Sequence, residues 1–129
     1  AYNAQFEKRV LLQLARVFPE YEEWTQQACD RMVDLLIPFR GFNYYHPLQR
    51  GSASLKAVLP ALTGLGYDGL GIRDGQLAGV AFLSTRGMPD TEAAAIRSDL
   101  LEYCKMDTAG MVAIVEKLDG LVNGGDTGR

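Results

Sequence analysis

Tyr103 and Asp107 stand four residues apart, and on a helix that spacing puts a phenol and a carboxylate on one face, able to address one site. A second carboxylate, Glu7, follows the run Tyr2-Asn3-Ala4-Gln5-Phe6, where an extended segment hands over to a helix. Phe6 is expected to point into a core and Glu7 to face another side. Between these ends lie Val33-Asp34-Leu35 and Ser52-Ala53-Ser54-Leu55-Lys56. Lys56 and Arg50 are candidates for a phosphate near a helix N-terminus, against a plain solvated surface. Phe42, Tyr44 and Tyr45 could stack bases, but covering a helical core is the preferred expectation. His46, the single histidine, precedes Pro47 and reads as a loop residue bonded to backbone rather than a ligand.

The elements that would position these residues are helical. Phe6, Val10, Leu11, Leu14, Val17 and Phe18 have helical spacing, which predicts an amphipathic helix over 4–17. Pro19 suits the first turn of a second helix with Tyr21, Trp24, Ala28, Met32, Leu35 and Leu36 on its inner face, ending before Pro38. Residues 39–54 read as a loop with a short extended piece at 43–46. Ser54 then caps a helix that kinks or ends near Pro60. Residues 67–74 read as another loop, and 76–83 fit either strand or helix, with helix preferred. Asp90 or Thr91 is expected to cap a helix through Ile96, Leu100, Leu101 and Tyr103. Near Asp107 the chain enters, or continues as, a last helix with the stripe Met111, Val115, Leu118 and Val122. The expected fold is mainly α, with at most one strand, at residues 1–3.

Composition bounds the class. The chain has 129 residues, 47% of them apolar, so it can bury one modest core. Its net charge of −3 is wrong for a protein that coats nucleic acid by charge alone. It leaves open a site where metal ions supply the positive charge. Cys29 and Cys104 belong to no Cys/His cluster, so a structural zinc is not expected; two buried reduced thiols are. No apolar run approaches the roughly 20 residues of a membrane span, and no signal peptide is visible, which points to a cytoplasmic domain.

Taken in order, these patterns carry a resemblance. Asn3-Ala-Gln-Phe6-Glu7 resembles the second motif of DEDD 3′→5′ exonucleases, with Glu where most relatives have Asp. Tyr103-x-x-x-Asp107 resembles the third motif of the tyrosine subclass, about 100 residues on. Asp34-Leu35 and Ser54-Leu55-Lys56 resemble the segments between. The runs YNAQFEKRVL, VDLL, YYHP, KAVLPAL and LLEYCKMDT together are similar to the bacterial family called domain of unknown function 2779. The resemblance implies the helical C-terminal portion of an α/β ribonuclease H-like exonuclease domain over 1–122, with a flexible tail at 123–129. It implies Mg²⁺ or Mn²⁺ held by Glu7 and Asp107, Tyr103 orienting the attacking water, and single-stranded nucleic acid as partner. Asn3, Lys56 and Tyr45 are the expected substrate-binding residues.

The family's strand-borne Asp-x-Glu does not precede Asn3 here. Two-metal hydrolysis needs several carboxylates around ions about 4 Å apart, so Glu7 and Asp107 are half a site. The longer Glu side chain shifts its oxygen by roughly an ångström, which matters for octahedral Mg²⁺. The expectation is therefore a nuclease domain inactive as this fragment, with a non-catalytic nucleic-acid or protein-binding module as the alternative. Helix faces without a covering sheet predict an exposed apolar patch and self-association.

Overall fold

Asn3 takes the left-handed conformation (φ 66°) and opens α1, Ala4–Val17, in this computed structural model, which describes residues 1–124. Glu7 lies in the first turn and Arg16 in the last, each favoured by the helix dipole. The Phe18 N–H closes the helix on the Leu14 carbonyl at 2.9 Å. A 3₁₀ turn at Pro19–Tyr21 leads into α2, Glu22–Asp30, which packs on α1. Two short elements follow: α3, Leu36–Arg40, and a 3₁₀ turn at Pro47–Gln49. Then come α4, Leu55–Thr63; α5, Gly75–Ser84; and α6, Asp90–Asn123. No strand occurs among the described residues, so the fold is mostly α. The chain divides into two compact units, Ala1–Ala61 and Leu62–Arg129.

In the first unit the expected second helix breaks in two. It stops after Asp30, and Pro38 falls inside α3 rather than beyond a helix end. The cause is a set of hydrogen bonds from far along the chain. The Ala1 ammonium donates to the Val33 carbonyl, and the Leu35 N–H donates to the Ala1 carbonyl, both at 2.9 Å. That is one rung of parallel pairing, which the extended reading of residues 1–3 anticipates without a strand forming. The Asp34 carboxylate accepts from the Asn3 and Leu36 N–H groups, each at 3.0 Å. These bonds satisfy backbone groups that a continuous helix would have used. Pro38 sits in the first turn of α3, where its missing N–H costs nothing.

The burial pattern also departs from expectation. Ala4, Ala15, Thr25 and Cys29 are buried, while Phe6, Leu14, Val17 and Phe18 are about half exposed or more. Trp24 is 56% exposed, so it is not core. Small residues let α1 and α2 approach closely, and the large side chains are left outside. Phe39, at 1% exposure, is the aromatic centre of this unit; Tyr2 stacks on it and Tyr44 meets it edge-on. Helix α4 runs on through Pro60 to Thr63, with Val58 and Leu59 fully buried.

In the second unit the ambiguous segment is helix α5. The Asp74 side chain caps it, accepting from the Leu77 N–H at 2.8 Å. Of the two expected alternatives near Asp107, the helix continues: α6 is one element of 34 residues, with Pro89 at its N-cap and Asp90 its first helical residue. Its inner line runs through residues 93, 96, 100, 103, 107, 110, 114 and 118, at alternating steps of about three and four. Ala93, Gly110 and Ile114 on that line are buried. Of the expected stripe, Leu118 lies on this line and Met111 is half-buried, whereas Val115 and Val122 are exposed. Most of the expected tail 123–129 lies outside the described residues; Asn123 ends α6 and Gly124 caps it.

Candidate functional site

Asp107 occupies a position on the α6 line where its neighbours above and below are apolar or aromatic. A half-buried carboxylate there needs a partner. Tyr67, from the loop before α5, supplies it: its hydroxyl donates to Asp107 Oδ1 at 2.5 Å. Tyr67 is itself buried, and its ring lies 5.8 Å from that of Tyr103, tilted by 41°. Tyr103 is half-buried one turn before Asp107. Its hydroxyl stands near the start of α5, where a Cβ at Gly75 would lie 3.8 Å from it. Tyr103 and Asp107 do share one face, as their spacing requires, and that face belongs to the packed side of the helix.

Both phenols are held protonated. Burial raises the Tyr67 hydroxyl most, followed by its hydrogen bond to Asp107 and that carboxylate's charge. Burial also leads for Tyr103, with the Asp107 charge and hydrogen bonding next, then Asp74. The cluster is thus one carboxylate beside two neutral phenols, with Tyr67 donating to it. It can orient a water or offer one carboxylate to a cation. Tyr67 was not legible as a member: it stands 40 residues from Asp107, and no fixed spacing links them.

The remaining expected residues lie in the first unit. Asn3 caps α1 through its backbone conformation, with no side-chain cap bond, and its N–H is committed to Asp34. Glu7 is exposed on the first turn of α1. Lys56 is exposed on the first turn of α4. Tyr45 is 45% exposed and its hydroxyl accepts from the Gly51 N–H at 3.2 Å. Phe42 is 68% exposed, so these two rings do not cover the core, whereas Tyr44 does. His46 Nδ1 accepts from the Leu48 N–H and the His46 N–H donates to Gln49, a backbone role as expected. Both cysteines are free thiols; Cys29 is buried, but Cys104 is exposed, against expectation, because it faces away from the α6 inner line.

An open cavity of about 400 Å³ is lined by Tyr2, Asn3, Leu36, Arg40, Ser54 and Leu55. The Tyr2 hydroxyl donates to the Ala53 carbonyl at 2.5 Å and is pushed up to about 12, first by burial and then by Asp34. No group of three or more His, Cys, Asp or Glu converges into a possible metal site among the described residues. Among the described residues the converging donors are therefore fewer than the about six oxygens that octahedral Mg²⁺ or Mn²⁺ takes.

The family model described as Domain of unknown function (DUF2779) matches residues 1–54. The chain is similar to that family over most of the first unit, a span that holds Asn3, Glu7, Asp34, Tyr45 and Ser54 and stops short of Lys56. No curated protein and no solved structure matches the chain. No described helix is long and apolar enough to cross a membrane.

Proposed function

We propose that the chain is the helical part of a DEDD-type, tyrosine-subclass 3′→5′ exonuclease-like domain, with single-stranded nucleic acid as its ligand. The observation that carries the reading is the Tyr103–Asp107 pair on one packed helix face, its carboxylate fixed by Tyr67. A fixed carboxylate beside a neutral phenol suits a group that must orient water at a phosphodiester. Similarity to a family of unknown function over 1–54 is consistent with the reading and names no activity. No three carboxylates converge among the described residues, so in this reading catalysis takes place in a longer protein that adds a strand-borne Asp-x-Glu.

A second reading, a non-catalytic nucleic-acid-binding module, draws on the same shortage of converging ligands. One assay separates them. A 5′-labelled oligonucleotide is incubated with Mg²⁺ or Mn²⁺ and either this chain or a longer protein carrying it behind an Asp-x-Glu strand. The exonuclease reading expects the longer protein to shorten the strand from its 3′ end, with loss in Asp107→Ala. A longer protein as inert as the chain leaves the binding module. Self-association fits the exposed apolar side chains of α1 and α2, from Phe6 to Trp24; sedimentation that does not change with concentration contradicts it.

A further inference from the structure

The first unit gathers features that suit one class of ligand. Between Leu35 and Ala61 the sequence holds no Asp or Glu, yet it holds Arg40, Arg50 and Lys56 in a chain of net charge −3. A segment so biased favours an anion. At its centre the Phe42 and Tyr45 rings lie 5.8 Å apart, tilted by 45°, both open to solvent. With Phe39, Arg40, Gln49 and Ser52 they line a cavity of about 210 Å³. That is smaller than the roughly 300–1,000 Å³ that encloses a whole small molecule. It suits a flat group offered from outside.

The rings are held in place. Tyr45 is tied to the Gly51 N–H, and the Pro38 carbonyl accepts from the Asn43 and Tyr44 N–H groups. Phe42 adopts φ 54°, a conformation that bulky residues rarely take. Its ring, 68% exposed, returns little burial to offset that strain, and such strain clusters at functional sites.

We propose that Phe42 and Tyr45, with Arg40 beside them, form a base-stacking platform on which this chain holds single-stranded nucleic acid. The proposal deepens the nucleic-acid reading above and rests on it for the ligand class, but it needs no metal. Unpaired bases offer free faces to the rings, while Arg40 and Arg50 meet phosphates. Bases inside a duplex have no free face to offer.

The test is fluorescence anisotropy of a labelled oligothymidylate of about 12 nucleotides, within the site sizes of single-strand binders, titrated with the chain in EDTA. Binding to the single strand is expected, with a hairpin duplex bound far more weakly. Phe42→Ala should weaken binding about tenfold, and Phe42→Trp should restore it. Phe42→Gly removes the ring while relieving the positive φ, so it must fold and must also lose affinity. Arg40→Gln should reduce the salt dependence of log K by about one phosphate contact. No binding, equal binding of duplex, or full affinity in a folded Phe42→Gly overturns the proposal. Ring-dependent binding without hydrolysis by the longer protein keeps it and removes the exonuclease reading. Hydrolysis with affinity unmoved by the Phe42 variants does the reverse.

Discussion

The two units of this chain set their polar chemistry in opposite surroundings. In the second, Asp107 lies on the packed line of a long helix, tied to a buried phenol and flanked by another. In the first, the aromatic and basic side chains stand open to solvent around a small cavity. A group that must hold one geometry gains from burial, because packing and hydrogen bonds remove its alternatives. A group that must meet a long, flexible ligand gains from exposure. On the proposed function the contrast is a division of labour: positioning chemistry in the second unit, ligand capture in the first.

The largest expected effects ignore that contrast, because both units rest on packed cores. Phe39→Ala and Ile114→Ala should each destabilise by about 2–5 kcal/mol in urea unfolding, since both side chains are essentially fully buried. A small loss at either position breaks the picture of two well-packed units. The contrast emerges at the next level. Asp107→Ala removes the acceptor of a buried hydroxyl and should cost about 1–3 kcal/mol, and Tyr67→Phe about 1 kcal/mol. Phe42→Ala, at an exposed and strained position, should change stability by no more than about 0.5 kcal/mol. If the Phe42 change costs more than the Asp107 change, the assignment of open and packed sites is reversed.

Alkaline pH sharpens the same comparison. Tyr67, Tyr103 and Tyr2 are all raised above the ordinary phenol value of about 10. Above that pH the unfolded chain releases these protons while the folded chain keeps them, so stability falls as pH rises. Below it, both states hold the protons and these groups contribute no slope. Urea midpoints should decline from about pH 10 upward, and Tyr67→Phe should flatten the decline. The smallest effect concerns Trp24, whose replacement by Ala should shift stability by about 0.5 kcal/mol or less because the ring is largely exposed.

Much of this was legible in the sequence where the cause is local. The span of α1 followed from its apolar spacing and from the handover at Asn3. The shared face of Tyr103 and Asp107 followed from their separation on a helix. What was illegible depended on contacts across the chain. The break after Asp30 comes from Asp34 and Ala1, which lie on either side of α1 and α2. The Tyr67 bond to Asp107 joins a loop to a helix with no periodic signal. Trp24 misled because hydrophobicity was read as burial, whereas the small residues Ala15, Thr25 and Cys29 fill the inner positions instead.

The central claim, that Asp107 is held in place for chemistry at a phosphodiester, is met most directly by Asp107→Asn. The amide oxygen can still accept the Tyr67 hydrogen bond, so packing survives while the negative charge is lost. Degradation of a 5′-labelled single strand is measured for the Asp-x-Glu-bearing longer protein with and without this change, alongside its urea midpoint. The unfolding midpoint should stay close to the parent's while degradation falls to background. A variant that degrades the strand as fast as its parent contradicts it.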